Sequence, residues 1–273
     1  MMRNIVRICQ KDPHLTSSEL ANSFNSGLNS NLSASTLRRN LNSIGLRSYS
    51  AIKKPALTKS MKRKRLEWCR AHKNWSCRDW ENVIFSDETY VEINPHSAMN
   101  RVRRFSTQNP LESRFIRPTL KYPTKIMIWG NFCSKSVGRI HVCQGFMNSD
   151  SYINVLQDKL MPSLDFYNLN DPIFMDDSAP CHRSKKVKEW VQNSRLRKLD
   201  WPGNSPDLNP IENLWKILKE KVRRKTSTNR RALIENVIYV WNNEIKEDLL
   251  VKLVHSMPRR IQKVLKNRGQ IKY

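Results

Sequence analysis

The sequence predicts an α/β domain preceded by a small all-α domain, and three observations carry that reading. Short apolar, β-favouring runs at Val83–Phe85, Lys125–Phe132 and Pro172–Met175 alternate with amphipathic stretches of helical period. The first 47 residues contain only short helix-like segments. Charge is also uneven: residues 1–80 hold 16 Lys and Arg against 4 Asp and Glu, and the other 193 hold 33 against 20, so net positive charge is more than twice as dense in the first part. The expected division is a helical domain over 1–47, a basic linker over 48–80 and an α/β domain over 81–273.

In the first domain, Asn4–Gln10 reads as a helix with Ile5, Val6 and Ile8 as its apolar positions. Thr16-Ser17-Ser18-Glu19 is a capping box that starts a second helix, which carries Leu20, Ala21 and Phe24. Ser33-Ala34-Ser35 precedes a third, in which Leu37, Leu41 and Ile44 share one buried face and Gly45 provides the stop. Ser35, Thr36, Arg38, Arg39 and Asn42 point away from that stripe. A trihelical unit whose last helix shows these side chains to solvent fits a helix-turn-helix reader of DNA. The plainer alternative is a small bundle with a solvated polar face. In the linker, Lys53-Lys54-Pro55 breaks regular structure, and Lys62, Arg63, Lys64 and Arg65 form a dense basic tetrad. Such a tetrad reads as a phosphate contact or a nuclear address. It also reads as the exposed side of a helix that buries Leu66 and Trp68.

The second domain opens with a strand at Val83–Phe85. Lys125–Phe132 is a second strand, and Gly138–Cys143 its hairpin partner. A helix over Tyr152–Leu160, a strand over Pro172–Met175 and a helix over Arg183–Gln192 follow. Arg197–Trp201 reads as a short strand that ends at Pro202. Pro210–Arg223 places Ile211, Leu214, Trp215, Leu218 and Val222 on one helical face. Arg231–Glu244 is a further helix, and the end of the chain is helical and basic.

The whole chain carries 49 Lys and Arg against 24 Asp and Glu, a formal charge of +25. Nucleic acid is the usual partner of such an excess, since each neutralised phosphate releases counterions. No apolar run approaches the length needed to span a bilayer, and no basic amphipathic anchor stands out, so a membrane is not an expected partner. Met1-Met2-Arg3-Asn4 does not lead into a secretory apolar stretch, so a soluble, intracellular protein is expected. The six cysteines fall at 9, 69, 77, 133, 143 and 181 without a Cys-x-x-Cys pair or finger spacing, and they read as reduced thiols.

Three carboxylates stand out against this basic background. Asp87 follows one apolar run and Asp177 another, while Glu212 lies at the mouth of an amphipathic helix, with 34 residues between it and Asp177. Carboxylates at strand ends and a helix start suit divalent magnesium, a hard cation that prefers oxygen ligands. Held as a pair, such cations support phosphodiester chemistry. Each position has a competing reading. Glu88 is the alternative to Asp87, and adjacent Asp176 and Asp177 point to opposite faces of a strand. With Asn209 as N-cap and Pro210 at the first helical position, Glu212 completes a capping box.

At these residues the chain resembles a known family. Trp201-Pro202-Gly203-Asn204-Ser205-Pro206-Asp207-Leu208-Asn209-Pro210-Ile211-Glu212-Asn213-Leu214-Trp215 is similar to the signature of Tc/mariner-type transposases. Phe85-Ser86-Asp87-Glu88-Thr89 resembles their first acidic motif, and Asp177-Ser178-Ala179-Pro180-Cys181-His182 their second. Tyr122–Gly130 and Ser256-Met257-Pro258-Arg259-Arg260 add further likeness. The resemblance implies an RNase H-like catalytic domain, a mixed sheet flanked by helices. It implies excision of a DNA element at its ends and joining to a TA target, in the nucleus. It selects Asp87, Asp177 and Glu212 as ligands of Mg2+, with Mn2+ as a substitute. The implied partners are double-stranded terminal repeats, target DNA and a second copy in a homodimer. The chain departs from the family pattern in three ways. It begins at what resembles the second of two helix-turn-helix units, Ser178 stands where Asn is usual, and Cys133-Ser134-Lys135-Ser136 is poor in glycine. Two other readings stay open: a DNA-binding copy that regulates without cutting, and an RNase H-type nuclease acting on RNA–DNA hybrids.

Overall fold

The computed structural model describes residues 2–28, 30–49, 56–93, 109, 111–112 and 124–271. The features read at Lys53-Lys54-Pro55 and at Tyr122 lie largely outside these residues. The chain divides into two compact units, Met1–Lys54 and Pro55–Tyr273.

The first unit holds α1 (Met2–Lys11), α2 (Ser17–Leu28) and α3 (Ala34–Ser43). Ile5, Leu20, Ala21, Phe24 and Leu37 form its core. The capping box forms as its sequence predicts: Thr16 N donates to Glu19 Oε2 at 2.7 Å, and Glu19 N to Thr16 Oγ1 at 3.3 Å. Ser33 caps α3 through the Thr36 amide. Gly45, at φ +81°, ends the helix, with Leu46 N donating to Leu41 O and Gly45 N to Asn42 O, the two bonds of a Schellman stop. Ile44 does not join the buried face. It is 51% exposed, because it sits at the C-cap where α3 has already stopped.

The second unit is built on a four-stranded mixed sheet of order β3-β2-β1-β4. Its strands are β1 (Val83–Glu92), β2 (Lys125–Phe132), β3 (His141–Cys143) and β4 (Ile173–Met175). β1 runs antiparallel to β2 and parallel to β4, and β3 pairs antiparallel with β2. β1 outruns its apolar start because its later residues pair with β2 out to Glu92↔Lys125. The strand expected over Arg197–Trp201 is reduced to a parallel bridge between Phe174 and Lys198.

Helices cover both faces of the sheet. One face packs Ile84, Trp129 and Phe174 against Tyr152, Leu156 and Val187. These side chains come from α6 (Ser149–Val155), a π-helical turn over Leu156–Leu160 that leads into α7 (Met161–Tyr167), and α8 (Lys185–Asn193). The other face packs Phe85, Ile128 and Met175 against Ile211, Leu214, Trp215 and Trp241. These belong to α9 (Ile211–Arg223) and α10 (Arg230–Asn243), and α11 (Glu247–Val254) and α12 (Met257–Lys266) complete that layer.

The linker expected over 48–80 needs correction. Its described part contains α4 (Lys59–Ala71) and α5 (Cys77–Glu81), and both belong to the second unit. Trp68, Cys69 and Trp80 join the main core. Arg65, read with the basic tetrad as a DNA contact, is fully buried. It lies three and four residues before Trp68 and Cys69, so it shares their inward face. Its guanidinium grips Asp207 with Nη1–Oδ1 at 2.9 Å and Nη2–Oδ2 at 2.7 Å, and Nε donates to Gly269 O at 3.0 Å.

Candidate active site

Parallel pairing of β1 and β4 explains how two carboxylates far apart in sequence meet. The last paired residues are Phe85 and Met175, and Asp87 and Asp177 each lie two residues further on. Side chains alternate along strands, so both continue the face of Phe85 and Met175, which α9 covers. Glu212 is in the first turn of α9. Asp87, Asp177 and Glu212 therefore line one cavity of about 230 Å³, together with Trp201, Asn204, Ser205, Pro206 and Asn209.

The same alternation separates Asp177 from its neighbour. Asp176 turns to the opposite face and is buried there, accepting from Tyr152 Oη at 2.9 Å and pairing with Lys198 Nζ at 2.6 Å. Its lone pairs are consumed by structure. Asp177 stays open to the cavity, accepts from Ala179 N at 2.8 Å and meets His182 Nδ1 at 2.9 Å. Ser178, between them, is left-handed at φ +59°.

Glu88 is held differently from Asp87. Its Oε1 lies 3.3 Å from His182 Nε2, an ion contact without good hydrogen-bond direction. His182 thus stands between Asp177 and Glu88, stacked on the Tyr152 ring at 3.9 Å. Burial works to lower the His182 pKa, but the bond to Asp177 and the nearby charge of Glu88 prevail and raise it to about 10. A charged imidazole follows. Burial also works to raise Asp177, yet the His182 bond, its charge and the Ala179 amide hold the carboxyl below its usual range.

Asp87 behaves in the opposite way. Burial, then the charges of Glu88, Glu212 and Asp177, push it well above the usual carboxylate range. Glu212 is also raised, chiefly by burial, with Lys219 and Lys216 opposing. Lys219 binds Thr89 Oγ1 on β1 at 2.7 Å. Among the described residues, no group of three or more His, Cys, Asp or Glu is gathered closely enough to hold a metal ion as it stands. The triad shares a cavity without collapsing, as mutually repelling carboxylates should.

The capping box that competed with the ligand reading of Glu212 does not form. Pro210 occupies the N-cap of α9 with no side-chain cap bond, and Asn209 Oδ1 accepts instead from Ile211 N at 3.3 Å. The Asn209 side-chain oxygen thus reaches the Ile211 amide rather than that of Glu212. The Glu212 side chain is left on the cavity wall.

The candidate DNA contacts fall in two places. Ser35, Arg38, Arg39 and Asn42 are exposed on α3 and Thr36 is half-buried, which agrees with the polar face read from the sequence. On α4, Lys64 is exposed, Lys62 half-buried, and Arg63 pairs with Glu67 at 3.6 Å. Lys219 was not singled out from sequence, Glu88 was read only as the alternative to Asp87, and His182 only as the last residue of the second acidic motif. His182 closes the Asp177 motif and Lys219 lies seven residues beyond Glu212, on the same helical face.

Comparison with known proteins agrees with this architecture. Residues 2–74 match a family model described as a transposase, and residues 82–234 one described as a DDE superfamily endonuclease. The transposable element Tc1 transposase of Caenorhabditis elegans is 33% identical over 276 residues, covering 98% of this chain and 98% of that protein. The Tcb1 transposase of Caenorhabditis briggsae is 31% identical, with the same coverage of each. The Tc3 transposase of Caenorhabditis elegans matches over 64% of its own length. Among solved structures, a Mos1 mariner paired-end complex with Mn superposes at a TM-score of 0.80 and 17% identity, over 99% of this chain and 79% of that one. The isolated Mos1 catalytic domain superposes at 0.63 and 16% identity over 81% of this chain and all of that one. Two matched family models and relatives aligned from end to end place the chain among the Tc1/mariner-type DDE transposases.

Proposed function

We propose that this transposase cuts the ends of its element and joins them to TA target sites with Asp87, Asp177 and Glu212 as its metal-holding residues. The convergence of these three carboxylates on one cavity, from the middle of β1, the segment just after β4 and a helix start, carries the proposal. The donor set fits Mg2+, with Mn2+ as substitute: it consists of carboxylate oxygens, and Asp87 sits among like charges that a divalent cation would relieve. Bound cations would supply charge neutralisation at the scissile phosphate and activation of the attacking oxygen.

The chain's own residues do the rest. The parallel pairing of β1 with β4 holds Asp87 and Asp177 side by side. His182 orients Asp177 through Nδ1 and ties it to Glu88. Trp201 and Pro206 line the cavity with apolar surface. The first unit supplies duplex recognition through Ser35, Thr36, Arg38, Arg39 and Asn42, and Lys62, Arg63 and Lys64 add phosphate contacts. Arg65 is withdrawn from that set because it is buried against Asp207. The substrates are element terminal repeats and target duplex, met in the nucleus by a pair of copies.

The test is cleavage of a duplex bearing the element's own terminal repeat, with and without Mg2+, by wild type and Asp177→Asn. Strand cutting that needs Mg2+ and drops by about 10²-fold or more in the variant is expected. Duplex binding without cleavage by wild type would instead identify a DNA-binding copy that regulates.

A further inference from the structure

The motif Ser256-Met257-Pro258-Arg259-Arg260 has no part in the chemistry above, yet Arg260 points straight at the element that carries Glu212. Its Nη1 donates to Asp207 O at 2.8 Å, its Nη2 to Asn213 Oδ1 at 2.7 Å, and its Nε to Ser256 Oγ at 2.7 Å. One guanidinium from α12 thus spans the turn before α9 and the first turn of α9 itself. Asp207 is held from its other end by Arg65 of α4, through the two-bond fork described above. Arg65 is itself fixed by Gly269 O, at a close approach where a Cβ on Gly269 would lie 2.7 Å from Lys62 O. Burial brings the Arg260 pKa down to about 10, against the pull of Asp207, so the side chain is still charged near neutrality.

At the start of α9, Pro210 has no side chain able to cap, and the Asn209 side chain holds only the Ile211 amide. Glu212 lines the carboxylate cavity on one side and a second cavity of about 250 Å³ on the other, between α9 and the arginines of α12. Close packing therefore does not fix its carboxylate, and its direction depends on where the first turn of α9 is placed. We infer that Arg260 and Arg65, acting through Asp207 and Asn213, are positioning residues that aim Glu212 into the metal cavity. The inference rests on Glu212 being a metal ligand. The short bonds of the two arginines run to Asp207, Asn213, Ser256 and Gly269 and not to the carboxylates of the cavity. They clamp the turn before α9 and its first turn from both α4 and α12.

The test uses the full chain. Mn2+ binding is titrated by electron paramagnetic resonance, and terminal-repeat cleavage is followed against Mn2+ concentration, for wild type, Glu212→Gln, Arg260→Lys and Asn213→Ala. Lysine keeps the charge of Arg260 but cannot span two acceptors. Arg260→Lys should raise the half-saturating Mn2+ roughly 10–100-fold, as loss of a group that orients a ligand does. Its kcat should fall at low Mn2+ and recover at high Mn2+, while KM for DNA changes by less than about twofold if phosphate contacts are untouched. Asn213→Ala removes only the outer acceptor and should shift Mn2+ affinity in the same direction by less. It reads the clamp even if Arg260→Lys does not fold. Wild-type Mn2+ affinity in Asn213→Ala, or in a folded Arg260→Lys, would overturn the clamp. Should wild type bind no Mn2+, or Glu212→Gln bind it equally well, the fault would lie with the assignment of Glu212 as a ligand.

Discussion

Ser178 shows how much one residue beside the site depends on backbone conformation. It follows Asp177 where related transposases usually have Asn, and it adopts φ +59°. That region costs an ordinary residue roughly 1–2 kcal/mol, and Asn tolerates it better. Ser178 recovers part of the cost by donating its amide to Asp176 Oδ1 at 3.1 Å and its hydroxyl to Trp201 O at 3.5 Å. The second bond is long, and an Asn amide would reach further. Ser178→Asn should therefore raise the melting temperature by about 1–3 °C in a chain of this size. Differential scanning calorimetry of the metal-free protein measures this directly. A lower melting temperature would show that the serine hydroxyl contributes more than the conformational relief. The same turn explains why Asp176 and Asp177 part company: the alternation of β4 sends one to Tyr152 and Lys198 and the other to the cavity.

At the scale of elements, β2 and the α9–α10 layer set how closely the sheet can be covered. Gly130 sits on β2 beneath the stacked Trp215 and Trp241 rings, whose centroids are 5.2 Å apart. A Cβ there would lie 2.8 Å from Trp215 Cη2 and 3.1 Å from Trp241 Cζ2. Both rings are buried, and Trp241 is tethered by Nε1 to Gly138 O at 2.8 Å, so neither can move freely. Gly130→Ala should cost about 1–3 kcal/mol, the usual penalty of overpacking. Urea unfolding should show a lower midpoint at unchanged slope, and an unshifted midpoint would mean that the rings slide aside. Elements such as β2 were legible from sequence because their signals are local: a β-favouring run, the capping box at Thr16, the glycine stop at Gly45. The tetrad at Lys62–Arg65 was not, because the role of Arg65 depends on Asp207, 142 residues away. At the start of α9 the spacing alone left two readings of Glu212 open, for a related reason. Asn209 and Glu212 have the spacing of a capping box, but the hold on that helix comes from α4 and α12. The carboxylates themselves were found by motif, and the choice between adjacent aspartates by spacing alone had to await the face each strand residue takes.

For the whole molecule, the charge of +25 divides by location into two kinds of positive group. Arg65 and Arg260 are committed to internal acceptors and add nothing to the attraction for phosphate. Arg38 and Arg39 are exposed on α3 in the first unit, which has its own small core and can present them to a duplex without involving the catalytic sheet. Arg38→Ala and Arg39→Ala should therefore weaken binding of a terminal-repeat duplex while the melting temperature of the second unit stays unchanged. If each side chain neutralises one phosphate, the slope of log affinity against log salt should become shallower by about 0.9 per residue removed. Fluorescence anisotropy at several salt concentrations gives that slope. A loss of affinity with an unchanged slope would instead assign the arginine to base edges, where the penalty should vanish on a scrambled duplex. Arg65→Ala would act differently from either. Removing it strands Asp207 as a buried unpaired carboxylate, at a cost of about 3–5 kcal/mol in folding, with DNA affinity per folded molecule left intact. A salt-dependent binding defect in a stably folded Arg65→Ala protein would contradict its placement in the core.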